Sequence, residues 1–269
     1  MNTNVSNVSN VSNMSIFGKA KAMLEEVNID LGAIIDTYAF FQEQRKDDPD
    51  FRIPTYRAKI PAGGGKAFDI ITGDEELDTS VTSFKGVIAT FHKSNALFEN
   101  GSEEYEAGRP PICQSQDGFI GINLDGEERD CADCEHNQWG SSHKGGKGKE
   151  CKNMRRLYIL VEGSNVPIIM TLPPTSIKIW EEYRANLAAD RKTPGDVITE
   201  FSIGQKQKNA AGKEYSIIKL KAIGSLSTET RLTVKALGNG EVYNKDISGE
   251  DYNTGAIRTH GTEDLKETA

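Results

Sequence analysis

The sequence predicts a mainly β protein with a few helices, of the α+β class. Three observations carry this. Short runs rich in β-branched and aromatic residues recur between Gly, Pro, Asn and Asp. Glycine is frequent, at 26 of 269 residues, against only 9 prolines, which favours strands and turns over a helix bundle. All 4 cysteines fall between residues 113 and 151, in loops too polar to form a core of their own.

Taken in order, residues 1–14 repeat Asn-Val-Ser from residue 4 to residue 12, and a segment this polar supplies no packed face, so it reads as a disordered arm. The triplets match a glycosylation sequon only by composition, because no basic and apolar leader precedes them. Residues 15–48 have helical spacing, with Ile16, Ala20, Met23, Leu24 and Val27, then Ile34, Ile35, Tyr38 and Phe41. Asp30 is placed to cap the second helix, and Asp47-Asp48-Pro49-Asp50 ends it.

Residues 49–235 form the predicted core. Strands are expected at 56–60, 67–71, 84–92, 156–161, 166–172, 197–203, 215–223 and 230–236. One helix interrupts them after Pro173-Pro174, with Ile179, Trp180, Tyr183 and Leu187 on one face until Pro194-Gly195. A hairpin loop is expected at 209–212. Strands, one helix, then a hairpin is the order of an OB-like Greek-key barrel with its helix between the third and fourth strands. Residues 236–269 hold Lys245, Arg258 and Lys266 against Glu241, Asp246, Glu250, Asp251, Glu263, Asp264 and Glu267, an acidic flexible tail.

Cys113, Cys131-Ala-Asp-Cys134 and Cys151 define a metal-binding insertion at about 110–153. A Cys-x-x-Cys turn offers two thiolates to one tetrahedral ion, and two more cysteines complete a structural Zn²⁺ shell at about 2.3 Å each. His136 and His143 lie in the same window as alternative ligands. Four ordinary reduced cysteines are the plain alternative, disfavoured because the Gly, Lys, Asp and Ser-rich loops cannot bury thiols without a cross-link. A redox pair lacks the strand-to-helix context that lowers a thiol pKa.

The formal net charge of −8 excludes coating duplex DNA by bulk charge. The cations are nevertheless segregated. Lys144, Lys147, Lys149, Lys152, Arg155 and Arg156 face Glu150 alone, with Trp139 and Tyr158 nearby. Lys206, Lys208 and Lys213 bracket the hairpin with Tyr215, and Arg52, Tyr56, Arg57 and Lys59 form a third group. Cations interleaved with aromatics suit single-stranded nucleic acid, since charges track phosphates while rings stack on unpaired bases. Lysines on alternate strand positions also make an ordinary solvated face.

No enzyme is expected. Asp74, Glu75, Glu76 and Asp78 read as a solvated turn, His92 and His260 are isolated, and a closed four-thiolate site leaves no position for substrate. No apolar run is long enough to span a bilayer, so no membrane partner is expected and a cytoplasmic location is expected.

The framework Cys113-Gln-Ser-Gln-Asp117-Gly118, Cys131-x-x-Cys134, Trp139-Gly140, Cys151, then 156–160 and Leu172-Pro-Pro-Thr-Ser176 resembles a group of bacteriophage single-stranded DNA-binding proteins over about residues 50–225. The resemblance implies an OB-like core with a zinc subdomain, a role in phage replication or recombination, and a tail that contacts replication proteins. This tail lacks the terminal hydrophobic-acidic tip of such proteins. The alternative reading is a zinc-ribbon accessory factor acting through protein contacts in phage transcription or recombination.

Overall fold

The computed structural model describes residue 27 and residues 29–49, 51, 54, 56–61, 63–99, 111–143, 145–208, 212 and 214–239. The expected arm, most of the 15–30 stretch, Arg52, Lys144, Lys213, the hairpin loop at 209–211 and the chain from 240 onward, His260 included, lie outside these residues.

Thirteen strands and three longer helices are described. The strands are β1 Tyr56–Lys59, β2 Phe68–Ile71, β3 Thr79–Val81, β4 Ser83–Leu97, β5 Cys113–Ser115, β6 Ile120–Asn123, β7 Glu128–Asp130, β8 Lys152–Val161, β9 Ile168–Leu172, β10 Val197–Ile203, β11 Gln207–Lys208, β12 Glu214–Tyr215 and β13 Ile218–Ser225. The helices are α1 Leu31–Asp47, α2 Pro174–Ala189 and α3 Thr228–Gly238. The molecule is therefore mixed α+β, as expected. No helix among the described residues is long and apolar enough to cross a membrane.

Eleven strands form one mixed sheet, ordered β3-β2-β1-β9-β8-β4-β5-β6-β7, with β10 pairing both β4 and β13. The long β4 organises it. Its first residues pair with β10, Ser83 opposite Ser202 and Gly86 opposite Thr199. Its body pairs with β8 from Gly86 opposite Val161 to Ala96 opposite Lys152, with a bulge between Ile88 and Thr90, and its end pairs with β5.

Residues 157–161 read as a continuous apolar run because both faces of β8 are covered. Leu157, Ile159 and Val161 join Ile168, Met170, Leu172, Phe201, Ile218 and the α2 residues Trp180, Tyr183 and Leu187. Tyr158 and Leu160 face the other way, onto Ile29, Leu31 and Ile34 at the start of α1 and Val234 and Leu237 of α3. Each large aliphatic side chain buried this way contributes about 1.5–3 kcal/mol. The local signals that start two of the helices are the expected ones. Asp30 accepts the Ala33 amide at 2.9 Å, and α2 begins at Pro174, a residue that suits a first helical position.

Three expectations are corrected. The barrel does not close among the described strands. β9 and β13 run in the same direction without pairing, and β9 pairs instead with β1 in parallel, Tyr56 opposite Ile168 and Arg57 opposite Ile169. Strand β1 satisfies that edge, while α2 packs on β13, β8 and β9 and fills the seam. Residues 230–236 are helix, not strand: Ser227 caps α3 by accepting the Thr230 amide at 3.1 Å, and Thr230, Thr233, Val234 and Leu237 bury one helical face. The fold accordingly continues past 235, since Leu237 is buried and α3 runs to Gly238.

Candidate metal centre and nucleic-acid interface

The described residues between β4 and β8, 111–143 and 145–151, form a small module at the far end of the sheet. Cys113 opens β5, opposite Leu97 of β4 and Asn123 of β6. Cys131 follows β7 directly, and Cys151 immediately precedes β8. All four cysteines line one cavity of about 20 Å³, together with Gly121 and Asn137. That volume accommodates a single small occupant.

Gly121 shows how closely the sulfurs approach. A Cβ on it would lie 3.0 Å from Cys113 Sγ and 3.6 Å from Cys131 Sγ, so the missing side chain is what gives the two thiols their place. Burial, and then the other thiols, push Cys151 up to about 12 and raise Cys113 from its ordinary value. Convergent thiols disfavour one another's ionisation, and a divalent cation among them reverses that balance. As placed, no group of three or more His, Cys, Asp or Glu side chains among the described residues makes a ligand cluster. A metal at the centre of the cavity requires the four sulfurs to draw in to about 2.3 Å. The donor set suits Zn²⁺. His143 instead pairs with the Glu150 carboxylate, and His136 lies 3.8 Å from Glu135.

Backbone and amide contacts fix the module around the cavity. The Cys131 amide donates to the Phe119 carbonyl at 2.7 Å, and the Cys151 amide to the His136 carbonyl at 2.8 Å. Asn137 Nδ2 donates to the Cys131 carbonyl at 2.6 Å, while Asn137 Oδ1 accepts from Asn153 at 2.8 Å and Lys149 at 3.3 Å. One amide thus ties the Cys-x-x-Cys turn to both the lysine-rich loop and the start of β8. Gln138 Nε2 bridges the carbonyls of Ala132 and Cys134. No family model, curated protein or solved structure matches this chain.

The expected nucleic-acid residues divide by exposure. Trp139 is 79% exposed with the Lys149 ammonium 5.4 Å from its ring centre, and Lys147 is exposed. Lys152, Tyr56, Arg57 and Lys59 are half-buried. Arg155 is half-buried and held 3.3 Å from Glu181, which also pairs with Arg184. Lys206 and Lys208 are exposed, but both lean on Glu214, at 2.7 and 3.9 Å, and Tyr215 donates to Gln207 at 3.2 Å. Much of the hairpin's positive charge is therefore offset within the hairpin.

Two expected contacts are corrected. Arg156 is 0% exposed and Tyr158 only 3%, so neither presents an open face. The pair lies inside because β8 is covered on both sides, and Tyr158 meets His92 Nε2 at 3.2 Å. The acidic turn is a turn, as expected: Asp78 accepts from Thr72, and Asp74 accepts the Glu76 amide.

Sequence reasoning passed over Gly121, Asn137 and a second exposed cation–aromatic pair, Lys93 with its ammonium 5.2 Å from the ring centre of Phe119. Phe119 is 62% exposed. Its sequence signal is an aromatic at the tip of a Ser115-x-Asp117-Gly turn, where Asp117 accepts the amides of Phe119 and Ile120 and leaves the ring outside.

Proposed function

We propose that this chain is a sequence-tolerant single-stranded DNA-binding protein with an OB-like core and a structural Zn²⁺ bound by Cys113, Cys131, Cys134 and Cys151, acting in phage replication or recombination. The strand order is the observation that carries it. β9-β8-β4-β10-β13, with α2 between β9 and β10, is the neighbour order of a five-stranded OB fold left open between its third and fifth strands. In that fold the connections after the first and fourth strands flank the oligonucleotide. Here those connections are the cysteine module with Trp139, Lys147 and Lys149, and the hairpin with Lys206, Lys208 and Tyr215.

The covered outer face of β8 and β9 shifts the DNA path away from Arg156 and Tyr158. It runs along the exposed aromatics of the module, Trp139 and Phe119, each with a lysine at its ring. Stacking on such rings contributes about 1–3 kcal/mol per base.

Fluorescence anisotropy with oligo-dT at several salt concentrations tests the reading. Tight binding that weakens steeply with salt is expected, and binding no tighter than to duplex of the same length overturns it. Removing residues 240–269 is expected to raise affinity at low salt, where an acidic tail competes most strongly with phosphates.

A second reading, a zinc-ribbon accessory factor working through protein contacts, is favoured by one observation. Ile120, Ile122 and Leu124 are exposed on the β6–β7 hairpin, beside the acidic Glu127, Glu128 and Asp130. The same titration separates the two, since this reading expects no preference for single strands.

A further inference from the structure

A cleft of about 340 Å³, with no lining residue from the cysteine module, lies between α3, the turn at 193–196 and the bulged stretch of β4. Its size is at the lower end of small-ligand pockets. Ala89 and Leu232 supply an apolar wall, and Arg231 and Lys235, one helical turn apart, supply two cations beside the single carboxylate of Asp196.

The polar groups of this cleft are only partly satisfied. Arg231 Nη2 donates to Thr228 Oγ1 at 2.9 Å. Its Nε has no hydrogen-bond partner and is ion-paired with Asp196 Oδ1 at 3.8 Å, beyond hydrogen-bond reach. The other oxygen of Asp196 accepts both the amide and the hydroxyl of Thr193, at 2.7 and 2.8 Å. Lys235 is exposed, and no ion pair with it is found among the described residues. The guanidinium is half-exposed with one donor lacking a hydrogen bond, so an anion in the cleft can engage it through charge-assisted hydrogen bonds.

We infer that this cleft binds a nucleoside phosphate, with the phosphate on Arg231 and Lys235 and the flat nucleoside against Leu232 and Ala89. The ligand needs a compact anionic end to meet two convergent cations and an apolar body to cover the aliphatic wall. A nucleoside monophosphate has both at this size. It is either a free nucleotide or one unit of a DNA strand, and this inference stands whether or not the cysteine module binds DNA.

The test is a titration of the full chain with dTMP, followed by amide NMR. Saturable shifts confined to residues 88–91, 193–196 and 228–235 are expected, weakened at least tenfold by Lys235→Gln, an exposed position whose change leaves the fold intact. Arg231→Lys, which keeps the charge but loses the fork, is expected to weaken binding less than Lys235→Gln combined with Arg231→Gln. Oligo-dT that displaces dTMP identifies a strand unit as the occupant, and dTMP binding untouched by oligo-dT identifies a free nucleotide. No saturable shift in this region, equal shifts with inorganic phosphate alone, or unchanged affinity in Lys235→Gln overturns the inference.

Discussion

Gly121→Ala probes the cysteine cavity most directly. The added methyl lies 3.0 Å from Cys113 Sγ, against the roughly 3.5–4.0 Å at which non-bonded carbon atoms settle, and the sulfur is larger than carbon. Cys113 or strand β6 must therefore give by a few tenths of an ångström, close to the tolerance of a preorganised site. Overpacking of this kind costs about 1–3 kcal/mol. If the strain falls on the metal-bound geometry, zinc affinity drops about 5- to 150-fold. The assay is competition with a chromogenic chelator under anaerobic, reducing conditions. Gly148→Ala is the control in the same module, because its added methyl meets only Ser142 Cβ at an ordinary 3.7 Å. Wild-type zinc affinity in Gly121→Ala, or an equal loss in Gly148→Ala, would refute the cradle argument.

Trp139→Ala is expected to lower oligo-dT affinity by about 1–3 kcal/mol while moving stability by less than about 0.5 kcal/mol. Because the only other tryptophan, Trp180, is fully buried, quenching of tryptophan emission by oligo-dT should disappear in Trp139→Phe, and persistent quenching would place the strand elsewhere. Arg156→Ala, at a fully buried position, should reduce unfolding free energy by at least about 2 kcal/mol, whereas Arg155→Ala, at a partly exposed ion pair, should cost about 1 kcal/mol or less; guanidinium denaturation separates them, and equal effects would contradict the burial assigned to β8. Burial pushes the pKa of His92 below its ordinary 6.5 against the Lys93 carbonyl, and the Arg156 charge pushes it the same way. The unfolded chain then binds the proton more readily, so stability is full above pH 6.5 and falls as pH drops from there toward the lower folded value. A His92→Gln variant should lose this slope in urea titrations, and a slope unchanged in the variant would assign it to other groups.

Much of the core was legible because its residues combine local pattern and local stop signals. Residues 197–203 are rich in β-branched and aromatic residues between Pro194-Gly195-Asp196 and Gly204 and form β10 with those bounds, and Trp180, Tyr183 and Leu187 recur at helical spacing along α2. The cysteine spacing was equally readable, and the four thiols do share one cavity. What escaped depends on partners distant in sequence. Arg155-Arg156 looks like a solvated pair until α1 and α3 cover the sheet beside it, and nothing local announces that cover. Thr230, Leu232 and Val234 alternate like a strand, yet the Ser227 cap and the buried face of α3 outweigh that alternation. The β5 to β7 strands are too short and too rich in Asn, Gly and Glu to declare themselves, and they exist because the end of β4 gives β5 an edge to pair with.

The length of β4 has a mechanical consequence. Its first residues lie beside the end of β10, from which the basic hairpin leaves, and its last residues carry the cysteine module, with no break in the chain between them. Fifteen residues at about 3.3 Å each set a spacing of at most about 50 Å, shortened by the bulge. A polymer held at both ends must reach across that ruler, and once one end is engaged the other meets it at high effective concentration. An oligonucleotide too short to cover the distance gains only one grip, so its affinity should rise stepwise with length, at the point where it first reaches both ends of this single strand.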